Sequence, residues 1–239
     1  MPSFIFSICL LFTPVVIGFL WPDVYGRQLQ VQYGSQRVTP GISLDIRGIA
    51  NTLRQTDYHS QTLVIPEIGT NELHCKEKYI LFFIDLDAIL PGTKIQSVIL
   101  HWYQSNLGLD CTNPHHHRLI IPREGHEGND HPAASYIAPR PPPNTHHRYV
   151  FLLFAQRYEY RFPNCFKHVF PETVDARAGF DIRKFMQAAG LDPPLAMNYF
   201  FGRHEPADGD PTTMPSSATT TSFRFVNCPS TTSPTHLAG

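Results

Sequence analysis

The chain has 239 residues, which suits one domain with ragged ends, and 42% of them are hydrophobic, enough to form a core without staples. A formal net charge of -1, with no run of Lys or Arg, argues against a nucleic-acid footprint or a polybasic membrane patch. The 22 prolines favour loops and strand edges over long helices. Residues 4–20 are almost wholly apolar and the first basic residue is Arg27, so residues 1–26 read as a secretory signal peptide with cleavage near Gly26. An uncleaved anchor is the alternative reading. No second apolar run reaches the roughly 18 residues that a spanning helix needs, so no transmembrane segment is expected after signal removal. The expected location is outside the cell or in the secretory pathway. Cleavage removes Cys9 and leaves Cys75, Cys111, Cys165 and Cys228, an even set that an oxidising compartment would pair in one of three ways.

Further along the chain, residues 28–34 alternate apolar and polar like a half-buried strand, and Pro40-Gly41 marks a turn. Residues 61–68 read as an edge strand, because Pro66 interrupts the ladder. Residues 79–85 are a continuous apolar run ending in Asp85, the pattern of a central strand buried on both faces. Residues 95–104 and 148–154 are two more strands. One helix stands out: Asp181 caps it, Ile182, Phe185, Met186 and Ala189 recur at helical spacing, and Gly190 stops it. Two stretches look irregular. Residues 105–147 are rich in His, Pro, Asn and Gly, and residues 203–239 form a Pro/Ser/Thr-rich tail in which 223–228 could return as a last strand. Strands dominate, so the fold class is mostly β, a sandwich with one or two peripheral helices.

Several segments, in order, resemble the phosphatidylethanolamine-binding protein family. They are Val31-Gln32-Tyr33-Gly34 with Pro40-Gly41, then Asp85-Leu86-Asp87-Ala88, then Leu100-His101-Trp102, then Pro139-Arg140-Pro141-Pro142 leading to His147-Arg148-Tyr149-Val150. Residues 180–200 resemble the family's helix and following strand. The resemblance implies a β-sandwich domain over 27–202 with a small pocket. Asp85, His101 and His147 would meet there, with Pro141, Pro142 and Tyr149 beside them. It also implies an anionic ligand: a phosphate headgroup, a carboxylate or an anhydride. A carboxylate can fix a histidine tautomer, and imidazole N–H groups can grip an oxyanion. Leu86 and Ile89 stand where the family usually has Pro, and Ala138 where it has Gly, so a reshaped rim is expected.

The 105–147 insertion carries His115, His116, His117, His126, His131, His146 and His147, with Asp110, Glu127 and Asp130. That spacing matches no defined metal motif, so no metal and no cofactor is expected. The stretch reads as a solvated polar loop or a lid. Neither a serine-nucleophile elbow, a P-loop nor a dinucleotide fingerprint is present. The family resemblance implies three functions. First is a helper in fungal secondary metabolism that binds carboxylate or anhydride polyketide intermediates and assists their dimerisation, alongside pathway proteins. The others are a headgroup-binding or small-anion-binding protein, and a peptidase inhibitor. In the first, Asp85, His101 and His147 carry catalysis; in the second, the same pocket only binds.

Overall fold

The computed structural model describes residues 27–46, 65–70, 73–90, 94–112, 118–121, 133–204 and Cys228. Ten strands follow in chain order: β1 (Gln30–Tyr33), β2 (Gln36–Val38), β3 (Ile42–Asp45), β4 (Glu67–Gly69), β5 (Lys78–Ile89), β6 (Gln96–Asp110), β7 (Arg118–Ile120), β8 (Ala133–Ala134), β9 (His146–Gln156) and β10 (Ala196–Arg203). They pair in the order β2-β1-β4-β7-β6-β5-β9-β10-β3, with β8 on the side of β6. The central pairs β6–β5, β5–β9 and β9–β10 are antiparallel, and β10–β3 is parallel. Residues ahead of β1 return to β10, through Leu29 N–H to Met197 O at 2.9 Å and Met197 N–H to Arg27 O at 3.2 Å. Buried Asn198 donates its amide to the carbonyls of Leu29 and Val38, so the sheet nearly closes on itself.

Alternation along the central strands creates two cores. Odd positions of β5 and β9 (Tyr79, Leu81, Phe83; Tyr149, Phe151, Leu153) face the small sheet β2-β1-β4-β7. Even positions (Ile80, Phe82, Ile84; Val150, Leu152, Phe154) face a helical layer. That layer holds a 3-10 turn (Asn164–Val169), α1 (Val174–Arg177) and α2 (Ile182–Ala189). Around Phe185 gather Phe82, Tyr103, Phe162, Phe166 and Phe180, with ring centroids 5.0 to 5.9 Å away. Asp181 caps α2 by accepting from the amides of Arg183 and Lys184, and Gly190 ends it in the left-handed region at φ 63°.

Disulfides join Cys75 to Cys111 and Cys165 to Cys228. No helix among the described residues is long and apolar enough to cross a membrane. The apolar run 4–20 lies outside the described residues, as do the tail, apart from Cys228, and the polar core of the insertion with His115, His116, His117, His126, Glu127, Asp130 and His131.

Two sequence expectations change. Residues 105–147 are not wholly irregular: β6 runs on to Asp110, β7 and β8 lie inside the stretch, and β9 begins at His146. Leu107, Leu109 and Leu119 supply apolar faces that the surrounding polar residues hide from a pattern reading. In the 61–68 stretch the strand is residues 67–69, which lie between β1 and β7 rather than at an edge. Pro66 stands just ahead of that strand, where it removes no ladder hydrogen bond.

Candidate functional site

Asp85, His147 and Tyr149 occupy odd positions of β5 and β9, so their side chains point to the same face of the sheet. His101 joins them through a bulge. The β5–β6 register passes from Phe83↔Trp102 to Ile84↔Leu100, leaving His101 as the extra residue. Accordingly Leu100 and Tyr103 belong to the helical core, while Trp102 faces the other core and the His101 ring packs edge-on to Phe83 and Tyr149. Bulges of this kind re-aim a side chain.

His147 Nδ1–H donates to Asp85 Oδ2 at 2.8 Å, and His101 Nε2 lies 4.0 Å from the same oxygen. The other carboxylate oxygen, Oδ1, accepts the Asp87 amide at 2.8 Å, which locks the Asp85 rotamer. His101 Nδ1–H donates to the Ile137 carbonyl at 2.8 Å, while the Ile137 amide returns a bond of 2.8 Å to the His101 carbonyl. A carbonyl only accepts, so Nδ1 carries the His101 proton and a neutral ring has its lone pair on Nε2. Asp85 is 3% exposed and each histidine 5%. Burial pushes His101 below the ordinary histidine value, against the pull of the Ile137 carbonyl and the Asp85 charge. The ring is therefore neutral at pH 7.

Tyr149 is wholly buried, with its hydroxyl close to the Asp85 carboxylate and the Arg140 backbone. Burial first, then the nearby Asp85 charge, holds the phenol far above its ordinary value, so it remains a donor. Beside the cluster, Arg148 grips Asp87 through Nε at 2.7 Å, Nη2 at 2.6 Å and its backbone amide at 2.8 Å. Burial opposes ionisation of Asp87, but those Arg148 bonds win and lower its pKa.

The structure thus brings Asp85, His101, His147 and Tyr149 together. Pro141 and Pro142 lie in the loop from β8 to β9, buried and half-buried. The Pro142 carbonyl accepts the Thr145 amide and hydroxyl, closing the turn that leads into β9. Ala138 has no left-handed dihedral, so its position does not require the glycine usual there. Leu86 packs against the helical core, and Ile89 is exposed.

Some contributors carried no sequence signal. Gly202 pairs with His147 across β10 and β9, and a Cβ there would sit 2.5 Å from the Tyr149 ring. Ile137 contributes only backbone to His101. The described residues hold no metal-binding group of His, Cys, Asp or Glu. A separate cavity of about 120 Å3 opens between the small sheet and β5–β6, floored by Leu81 and Trp102. None of the Asp–His cluster lines it.

The fold and site define a two-sheet β-sandwich with a buried Asp–His–His cluster on its central strands. The family model for phosphatidylethanolamine-binding protein matches residues 34–200, and the chain belongs to that family. Among characterised sequences, it is 38% identical over 151 residues to phomoidride biosynthesis cluster protein N of Talaromyces stipitatus, covering 63% of this chain and 71% of that one. A protein of the same name from another fungus (Fungal sp.) is 39% identical over 122 residues, and the match spans about half of each chain. Of the solved structures, the carboxypeptidase Y inhibitor, crystallised with its cognate proteinase, matches with a TM-score of 0.51 at 17% identity, covering 80% of this chain and 93% of that one. The phosphatidylethanolamine-binding protein of Plasmodium vivax has a TM-score of 0.48 at 17% identity, with the same coverages. At this identity the likeness is one of fold alone.

Proposed function

We propose that this protein is an accessory factor of fungal secondary metabolism whose Asp85–His147–His101 cluster binds a carboxylate or anhydride polyketide intermediate and moves a proton during its dimerisation. The observation that carries the reading is the shared Asp85 oxygen, bonded to one imidazole and 4.0 Å from the other within a nearly buried site. The names of the two fungal relatives supply the pathway context.

The chemistry follows from the tautomers. With Nδ1–H held by Asp85, His147 presents an Nε2 lone pair as a general base. It removes a proton from the carbon next to the unsaturated anhydride. The electron pair left behind spreads onto a carbonyl oxygen, where the Tyr149 hydroxyl can donate to it. That carbanion adds to the alkene of a second monomer, forming one C–C bond, and the imidazolium returns the proton to the new carbanion. Asp85 orients the ring and offsets its transient charge, as the carboxylate does in other Asp–His pairs.

The test is dimer formation from a maleic-anhydride monomer with purified protein. Wild type should exceed buffer, and His147→Gln should lose about 10²–10⁴-fold, the usual scale of general acid–base help. Asp85→Asn should lose a comparable share, because an amide N–H facing Nδ1 drives the proton to Nε2 and removes the base. If wild type gives no acceleration while calorimetry shows inorganic phosphate bound at the cluster, the second reading holds. In that reading, favoured by the family description, the protein binds a small anion and catalyses nothing.

Entry into the secretory pathway belongs to the same proposal. It is supported by the apolar run 4–20 and the two disulfides, which persist in oxidising compartments. An intact Met1 on soluble cytosolic protein from the host would overturn it.

A further inference from the structure

Arg177, in the last turn of α1, is wholly buried, and no carboxylate among the described residues lies within ion-pair distance. A buried guanidinium without a direct ion pair, its charge offset only by Glu172 beyond Ser135, is costly, and an apolar side chain of similar volume would fill the space more cheaply. What it does instead is specific. Nε donates to the Val169 carbonyl at 2.9 Å and to the Pro171 carbonyl at 3.2 Å. Nη1 donates to the Ser135 carbonyl at 2.5 Å and to the His101 carbonyl at 3.3 Å. Nη2 donates to Ser135 Oγ at 3.1 Å, and that hydroxyl donates onward to Glu172.

One fork therefore ties three things: the helical layer, the backbone of β6 at His101, and the strap 135–138 that runs alongside it. The strap supplies the Ile137 carbonyl that accepts the hydrogen bond from His101 Nδ1–H. We propose that Arg177 is a positioning residue of the site, which clamps the strap against β6 and so fixes His101 as the Nδ1–H tautomer with its Nε2 lone pair toward Asp85. Its charge acts in the same direction. The groups that bear on the His101 charge are Asp85 from β5, His147 from β9 and Arg177 from α1; the Arg177 cation disfavours imidazolium and Asp85 favours it. The inference deepens the proposed role of the cluster, yet it concerns the ligand-free protein and stands or falls separately from dimerisation.

The experiment is nitrogen NMR of the histidine rings across pH, with His147, bonded to Asp85 and not to the strap, as the comparison ring. In wild type, His101 should carry its proton on Nδ1 alone and titrate below the ordinary histidine value. Arg177→Lys keeps the charge but lacks the fork, so His101 should sample both tautomers while still titrating low. Arg177→Met should mix the tautomers and also raise the midpoint. In both variants the His147 ring should be unchanged. Ser135→Ala, at an exposed position, removes the Nη2 bond to Oγ and the onward link to Glu172, and so loosens the strap while the carbonyl contacts of the guanidinium stay in place. The His101 Nδ1–H should then exchange with water several-fold faster. A wild-type His101 protonated on Nε2 overturns the proposal. So does a single Nδ1–H tautomer in a folded Arg177→Lys protein. Should neither Arg177 variant fold, an unchanged exchange rate in Ser135→Ala overturns it alone.

Discussion

At the scale of single residues, the site depends on close approach as much as on chemistry. The Tyr149 ring lies over β10 where Gly202 leaves room, stacks on Phe200 at 5.3 Å and meets His101 edge-on at the same centroid distance. Gly202→Ala would place a methyl 2.5 Å from Tyr149 Cε2, inside a core with no slack. The expected cost is about 1–3 kcal/mol, as for other overpacked cores, read by urea unfolding. Because the ring must swing toward the histidines, inorganic phosphate should also bind more weakly by calorimetry. Unchanged stability would mean the ring has another place to go. Asp85, His101 and His147 were legible in the sequence because each sits inside a motif that resembles the family. Gly202 and Arg177 were not. Their roles arise only when β10 and α1 are laid against strands distant in the chain, and neither a lone glycine in a strand nor an arginine in a short helix announces such a contact.

At the scale of elements, strong apolar runs were easy to read and short paired strands were not. β5 and β9 declare themselves through seven or more successive buried positions. By contrast β7 and β8 owe their existence to pairing with β6 rather than to any pattern of their own. β6 has to bend to serve both sheets, and it does so at Asn106, which adopts φ 57° and exchanges hydrogen bonds with the Gln156 amide. Asparagine tolerates that left-handed conformation better than most residues. Just past this bend, the Cys75–Cys111 disulfide fastens the end of β6 to the approach to β5. The sequence fitted any of three pairings of the four cysteines, and only the placement of β6 selects this one. Replacing both Cys75 and Cys111 by serine should cost about 2–4 kcal/mol, seen as a Tm lower by roughly 5–15 °C in calorimetric melting. On β6 His101 precedes the bend and Cys111 follows it, so phosphate binding at low temperature should persist. Loss of binding together with an unchanged Tm would contradict this division of labour.

At the scale of the whole molecule, the class of fold was legible but its path was not. A preponderance of strands points to a sandwich, whereas the order β2-β1-β4-β7-β6-β5-β9-β10-β3 and the return of residues 27–29 to β10 depend on pairings that no local period encodes. The same assembly gives the protein a global pH signature. Folding encloses His101 between two packed layers and holds it neutral, chiefly through burial, so its folded midpoint lies below the ordinary value while the unfolded chain keeps a midpoint near 6.5. Between those two midpoints the unfolded state binds more protons than the native state, and stability must fall as pH falls. The contribution is complete above about pH 7, declines at up to about 1.4 kcal/mol per pH unit as the medium passes below 6.5, and levels off once pH drops beneath the folded midpoint. The useful quantity is the difference between wild type and His101→Gln in urea unfolding at a series of pH values. Wild type should lose stability relative to the variant as pH falls from 7.5 to 5. A flat difference would mean that His101 titrates alike in both states. The opposite slope would mean that Asp85 outweighs burial and the native ring prefers to be charged, which would recast His101 as a cationic anchor for the ligand rather than a neutral partner of the base.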